Sequence, residues 1–182
     1  AYSLNITDED KISSLPDSVK ATAKEQAASK GEKGWTFTLQ APSYMPFLKY
    51  TDDRQLREQM WMAYNTKALD GDFSNREICK KIAELRNARA KVLGFPTHAH
   101  FVLKKRMAQT PEKVFSFLEE LKAPSLKAAK KDLAQLQSFV KDEMKQDIEI
   151  KPWDFSYYSE KLKKHLFDLS DQDLRPYFPV EA

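Results

Sequence analysis

Apolar residues recur at steps of three and four along almost the whole chain. Glycine, which often interrupts such a pattern, occurs only four times in 182 residues. Steps of three and four place side chains on one face of an α-helix. The longest such series predicts a core-facing helix and consists of Leu126, Ala129, Leu133, Leu136, Val140 and Met144. We therefore predict a mostly α-helical chain, built as an irregular array of several helices.

Local start and stop signals divide this pattern into separate helices. Pro16 and Gly31 bracket the first helix, and Gly94 ends a later one. Pro124 is expected to break or kink the segment that contains it. The predicted helix starts are Pro16, Asp52 or Asp53 (ending near Leu69), Asn75, Thr97, Thr110, Asp154 (ending near Leu166) and a capping box at residues 170–173.

Four further apolar faces are predicted to be buried. They are Val19, Ala23 and Ala27; Leu56, Met60, Ala63 and Tyr64; Ile78, Ile82, Leu85 and Val92; and Val114, Phe117, Leu118 and Leu121.

One segment changes to period two and predicts at most one short β element, around residues 35–40. Trp35, Phe37 and Leu39 alternate there with polar residues. Residues 41–46 are expected to form a rigid connector, residues 47–50 a short helical turn, and residues 175–179 an extended end.

Length suits one compact unit spanning residues 1–182, because no 34- or 40-residue repeat and no low-complexity linker interrupts the chain. The lone Cys79 excludes an internal disulfide and favours a reducing compartment. No apolar run is long enough to cross a membrane. We therefore expect a cytoplasmic location. The start, Ala1 to Leu4, lacks the features of a signal peptide and is typical of a cut end.

The same scarcity of glycine excludes several nucleotide and hydrolase motifs. The chain contains no G-x-G-x-x-G, no phosphate-binding loop and no G-x-S-x-G elbow. The net charge is only +3, and the lysine clusters lie among acidic residues in helical segments. Solvated helix faces explain these clusters better than a nucleic-acid interface.

The reactive side chains form no complete catalytic set. His98 and His100 are two residues apart, so on a helix they point in different directions and do not chelate one metal together. Cys79 lies beside the apolar face of its helix and is expected to be a packed or half-exposed thiol. His165 fits a structural role near a helix end. We therefore assign no catalytic, cofactor-binding or metal-ligating residue in this chain.

The aromatic segment at residues 153–158 leaves two interpretations open. Its phenol hydroxyls could face a cleft and form a ligand wall. Alternatively, Asp154 caps a helix whose aromatic residues lie in the core, and this second interpretation is favoured. Tyr44 and Tyr50 leave the same choice with less support for a ligand.

A series of local strings, in order, resembles the zinc oligopeptidases, the family of thimet oligopeptidase, neurolysin, oligopeptidase A and bacterial peptidyl-dipeptidase (dipeptidyl carboxypeptidase). The strings YMP (44–46) and RMA (106–108) favour the bacterial peptidyl-dipeptidase branch. The full set is LP (15–16), GWTFTL (34–39), APSYMP (41–46), Arg54 with LRE (56–58), AYNTKA (63–68), NR (75–76), LRNARAKVLGF (85–95), AHFVL (99–103), RMA (106–108), TPEKV (110–114), WDFSYY (153–158) and YFPVE (177–181).

The resemblance implies a whole protein that is a zinc metallopeptidase acting on short peptides. The family binds zinc through H-E-x-x-H, and this chain contains no such string. The chain is therefore expected to be an internal piece of the N-terminal half, a helical wall of the substrate channel. Zinc is implied for the whole protein and not for this chain, which we expect to be inactive alone.

The expected partners are short peptide substrates of the whole protein and the remaining part of the same polypeptide, without nucleic acid or membrane. A cut piece should also expose an apolar face and self-associate. The alternative from the residues alone is a helical protein–protein interaction module without enzymatic activity.

Overall fold

The computed structural model describes residues 2–169, 171–174 and 177. Most of them are helical, as the spacing predicts. None of the helices in these ranges is long and apolar enough to cross a membrane. The helices are α1 (Asp17–Ser29), α2 (Ala41–Tyr50), α3 (Arg54–Asn65), α4 (Arg76–Val92), α5 (His98–Leu103), α6 (Pro111–Asp142), α7 (Pro152–Phe167) and α8 (Asp171–Leu174), with a short 3-10 helix at Asp10–Ile12.

The β element predicted around residues 35–40 is confirmed as β2 (Trp35–Thr38). It pairs antiparallel with β1 (Ser3–Ile6), a strand that the sequence did not reveal, and Leu4 lies opposite Phe37. Gly34 precedes β2 with a φ of +81°. A Cβ at this position would collide with the backbone carbonyl of Ile6, so the approach of the two strands requires glycine.

The contacts within the chain divide it into two compact units, whereas the sequence predicts one unit spanning residues 1–182. Unit 1 comprises Ala1–Asn65 and Gln135–Ala182, and unit 2 comprises Thr66–Ala134. The long helix α6 contributes its first part to unit 2 and its end to unit 1.

Unit 1 contains two hydrophobic cores. The first lies among the sheet, α1, α2 and α3, and its buried members are Ile6, Ile12, Leu15, Ala23, Phe37, Tyr44, Phe47, Leu48 and Met60. The second packs the end of α6 on α7 and consists of Leu136, Phe139, Val140, Tyr157 and Tyr158. Gln137 on α6 fixes the connector between these helices, because its amide nitrogen donates to the Ile148 carbonyl at 2.6 Å.

Unit 2 has a different character. Only Ala90 and Pro111 are buried among its residues, all of which are described. α4 and α5 are held by ring contacts, including Phe95 on Phe101 at 5.4 Å and the Arg89 guanidinium over Phe101 at 5.2 Å. Thr97 caps α5 as predicted, and its hydroxyl accepts from the His100 amide.

Two prolines that were expected to interrupt helices lie inside them. Residues 41–46 are not a connector but the first part of α2, because Pro42 lies in the first turn, where no amide bond is lost. Pro46 removes one bond without ending the helix. α6 continues through Pro124 from Pro111 to Asp142, so of the expected break or kink the break is excluded. α3 ends at Asn65 instead of near Leu69, and Ala68 has a left-handed φ of +54°.

The prediction of buried faces holds in part in unit 1, where Tyr64 is nevertheless 38% exposed, and fails in unit 2. Ala23, Ala27, Met60, Leu136 and Val140 are buried. The faces predicted for α4 and the first part of α6 are exposed: Ile78, Ile82, Leu85, Val92, Phe117, Leu118, Leu121, Leu126 and Leu133. The periodicity identified the apolar face of each helix, but a periodic face is buried only where another element covers it. The capping box at residues 170–173 and the extended end at residues 175–179 include positions outside the described residues.

Candidate functional site

The most polar buried feature of unit 1 is the carboxylate of Asp154, which has no exposed surface. Asp154 is the third residue of α7, and its Oδ2 accepts from the Lys151 amide at 3.0 Å. The N-cap is therefore Lys151 and not Asp154, so the helix begins three residues earlier than predicted. The carboxylate completes a capping box from inside the helix.

Two arginines of α3 close around this carboxylate. Arg54 donates from Nε at 3.0 Å and from Nη2 at 2.7 Å to Oδ2. Arg57 donates from Nη2 to Oδ1 at 2.9 Å. Both carboxylate oxygens are thus occupied by charge-assisted bonds, which are among the strongest in proteins.

Arg57 is the more deeply buried of the two arginines, because its side chain is only 1% exposed. Its Nη1 donates to the carbonyls of Thr51 and Asp52 at 2.8 and 3.0 Å. Its planar group lies 4.1 Å from the ring centre of Tyr157. The Tyr157 hydroxyl donates in turn to Asp52 Oδ1 at 2.6 Å. We call Arg54, Arg57, Asp154, Tyr157 and Asp52 the arginine–aspartate cluster.

The contacts of the cluster lower the pKa of Asp154 and raise the pKa of Tyr157. Burial by itself raises the pKa of Asp154, but hydrogen bonds from Arg54, Arg57 and the Lys151 amide outweigh it, and the pKa lies below the usual 3.8. Burial and the bond to Asp52 raise the pKa of Tyr157 well above 10.0. At neutral pH Asp154 is therefore a carboxylate and Tyr157 a neutral phenol.

These contacts define what the cluster can do. A general base or metal ligand needs a free lone pair that a substrate can reach. Asp154 offers none, because its oxygens accept from arginines and an amide and no surface is exposed. The cluster instead joins two segments about 100 positions apart, the start of α3 and the start of α7. It is a structural junction.

The sequence contains one signal for this junction, a charged residue on the apolar side of a helix. Arg57 lies three residues before Met60, on the apolar side of α3, where a charged residue is exceptional. A charge in that position predicts a buried partner. The identity of the partner, Asp154, depends on the tertiary fold.

The aromatic segment at residues 153–158 supports the core interpretation. Tyr157 and Tyr158 are buried in the second core. Their hydroxyls are bonded to Asp52 and to Gln146 Oε1, each at 2.6 Å, instead of facing a cleft. Trp153 packs edge-on against Trp61 with ring centres 5.8 Å apart.

Phe155 is the one exposed aromatic residue of that segment and lines a cleft in unit 1. Glu160 lies in the same cleft, with its side chain 10% exposed and Oε2 2.9 Å from Lys49 Nζ. The other cleft-lining side chains include Val19, Met45, Tyr50 and Lys163. Tyr44 is buried and stacks on Tyr64 with ring centres 4.3 Å apart.

The histidines and the cysteine do not converge. In the described part of the chain, no group of three His, Cys, Asp or Glu side chains is placed to hold a metal ion. His98 and His100 lie on α5, and His100 Nδ1 is 2.8 Å from the Thr97 hydroxyl. His165 packs on Phe139, with ring centres 5.2 Å apart. Cys79 is exposed and forms no disulfide.

Comparison with known proteins places the chain among peptidases. The sequence model of peptidase family M3 matches residues 47–182. The chain therefore belongs to peptidase family M3.

Individual relatives agree with this family. Oligopeptidase A of Salmonella typhimurium is 43% identical over 179 residues, covering 96% of this chain and 26% of the relative. Dipeptidyl carboxypeptidase of Escherichia coli is 30% identical over 181 residues, covering 98% of this chain and 26% of the relative. Saccharolysin of Saccharomyces cerevisiae is 27% identical over 180 residues, covering 95% of this chain and 25% of the relative. The chain thus spans about a quarter of the length of these relatives.

Proposed function

We propose that the whole protein is a zinc metallopeptidase that hydrolyses short peptides. The match of residues 47–182 to peptidase family M3 carries this proposal. The 43% identity to an oligopeptidase A, over almost the whole chain, adds to it.

Within that protein, residues 1–182 belong to the N-terminal half and shape the channel through which substrate reaches the reaction site. The helical character of the chain supports this role. So does the arginine–aspartate cluster, whose contacts fix helices in place and leave the Asp154 carboxylate unavailable for bond cleavage.

Zinc does not fit the described residues of this chain. No three suitable ligands converge among them, and the most buried carboxylate, Asp154, is fully bonded to arginines and an amide. We therefore assign the metal to another part of the polypeptide and derive no step of hydrolysis from this chain. The isolated chain is expected to be inactive.

The peptide-end specificity of the whole protein is also a proposal. Identity is higher to oligopeptidase A, at 43%, than to dipeptidyl carboxypeptidase, at 30%. We favour oligopeptidase specificity on this basis over the peptidyl-dipeptidase specificity that two short strings suggested. A cytoplasmic location fits the single exposed Cys79.

A chimera tests the proposal. Residues 1–182 replace the matching quarter of Salmonella typhimurium oligopeptidase A, and hydrolysis of an internally quenched short peptide is measured. We expect the chimera to cleave the peptide and to lose this activity when a metal chelator is added. It should not cleave a folded protein offered as a substrate. A chimera that folds, as judged by circular dichroism, but cleaves nothing would refute the proposal. Turnover or one tightly held zinc per chain in the isolated 182 residues would refute the assignment of the chemistry elsewhere.

The exposed apolar faces of unit 2 also favour the second candidate, a helical interaction module without enzymatic activity. The reading frame beyond the codon for Ala182 separates the two. An H-E-x-x-H string further on supports the peptidase, and a stop codon supports the module.

A further inference from the structure

Unit 2 carries two apolar stripes at helical spacing. On α4 the stripe is formed by Ile78, Ile82, Leu85 and Val92, and all four are exposed. On α6 the stripe is formed by Leu118, Leu121, Leu126 and Leu133, which are also exposed. We call these the α4 stripe and the α6 stripe.

Repetition distinguishes these residues from scattered surface leucines. Single exposed apolar residues are normal, but a sustained stripe marks an interaction surface. The end of the same helix gives the comparison, because Leu136 and Val140 follow the α6 stripe at the same spacing and are buried under α7 in unit 1. A covered stripe is therefore the ordinary state of this helix, and the part in unit 2 lacks its cover.

The net charge of unit 2 limits which surfaces could pack against the two stripes. Residues 66–134 contain 15 Lys+Arg and 8 Asp+Glu, a net charge of +7, although the whole chain carries only +3. A second copy of the chain would bring another +7 against the first. This charge opposes, at unit 2, the self-association expected from the sequence. A neutral or acidic surface with apolar residues at its centre is the complementary partner.

The greater length of the relatives indicates which polypeptide could cover the two stripes. The relatives are about four times as long as this chain, so three quarters of their polypeptide lies outside the matched region. We propose that the α4 and α6 stripes are the docking surface for the remaining part of the M3 polypeptide, and that unit 2 becomes stably packed only when docked. The inference rests on the proposed function, since it takes the partner from the same family.

A two-chain assembly tests the docking surface. The full 182-residue chain is mixed with Salmonella typhimurium oligopeptidase A from which the matching quarter has been deleted, and amide hydrogen exchange is followed by mass spectrometry. Alone, the chain should show slow exchange in the cores of unit 1 and fast exchange in α4 and the first part of α6. The added protein should slow exchange in α4 and α6.

Variants of the α6 stripe test whether the stripe itself binds the deleted relative. The double substitution Leu118→Lys with Leu121→Lys should weaken binding about 100-fold or more, because it places two charges in an apolar contact. Ser116→Lys adds the same side chain on another face of α6, where the residue is exposed, and should leave binding unchanged. Unchanged binding by the double variant, or protection confined to unit 1, would overturn the proposal.

Four further outcomes test the identity of the partner and separate this proposal from the proposed function. Concentration-dependent protection of both stripes in the chain alone would identify a second copy as the occupant and also overturn the proposal. If the deleted relative does not fold, hydrogen exchange of the single-chain chimera replaces the binding assay, and fast exchange in α4 and α6 there would refute docking. Docking without peptide hydrolysis would refute the proposed function alone, whereas hydrolysis that tolerates the double variant would refute the docking surface alone.

Discussion

Replacement of Asp154 by asparagine should destabilise unit 1 by about 3 kcal/mol. The substitution keeps the shape and one acceptor oxygen but removes the charge between Arg54 and Arg57. Arg57 is only 1% exposed, so its guanidinium would remain buried without a counter-charge. Loss of one partner from a buried ion pair costs about 3–5 kcal/mol, and the retained acceptor places this case at the lower end.

Tryptophan fluorescence measures this loss in the relevant unit. Trp35, Trp61 and Trp153 are the only tryptophans and all lie in unit 1. Urea unfolding with a slope of about 2 kcal/mol per molar should therefore show a midpoint lower by about 1.5 M. Glu149→Gln removes an exposed pair with Lys151 and should change the free energy of unfolding by about 0.5 kcal/mol or less.

A double-mutant cycle isolates the pair itself. Arg57→Met should cost clearly less in the Asp154→Asn background than in the wild type, with a coupling of about 1 kcal/mol or more. A loss below about 1 kcal/mol for Asp154→Asn, or additive effects in the cycle, would refute the view that the buried charge pair stabilises the junction.

The remaining predictions concern pH and two other contacts of unit 1. Because the pKa of Asp154 is lower in the folded than in the unfolded chain, its contribution is present above about pH 4 and is lost as pH falls; urea unfolding at several pH values should show this loss in the wild type and less of it in Asp154→Asn. Tyr157→Phe removes the bond to Asp52 and should cost about 1–2 kcal/mol; since the pKa of Tyr157 is raised by folding, the wild type should also lose stability above pH 10 and the variant should lose less. Gly34→Ala should lower the urea midpoint of unfolding far more than Gly31→Ala. Both glycines have a positive φ, which costs about 1–2 kcal/mol of strain with alanine, but only at Gly34 does the added Cβ also collide with a neighbouring carbonyl; equal effects would contradict this account.

The local signals in the sequence predicted much of the secondary structure. The start of α6 after Thr110, the cap of α5 by Thr97 and the cap of α3 by Asp53 all follow from residues within one helical turn. The continuation of α2 through Pro46 and of α6 through Pro124 also has a local explanation. The sequence showed that each proline removes a hydrogen bond, but it did not show that the rest of the helix is stable enough to tolerate the loss.

The candidate site was predicted only in part. The aromatic residues at 153–158 were recognised as core candidates, and Tyr157 and Tyr158 are indeed in the core. Arg57 and Asp154 were not recognised as partners, because 97 positions separate them along the chain and no local pattern records a contact at that distance.

The sequence by itself determined which residues form helices and which face of each helix is apolar, because these properties depend on neighbours three and four positions away. It also determined the family, since that depends on the order of residues along the chain. Only the tertiary structure decided which apolar faces are covered. Burial depends on whether a second element lies against a face: α7 covers the end of α6 in unit 1, and no described element covers the α4 and α6 stripes in unit 2.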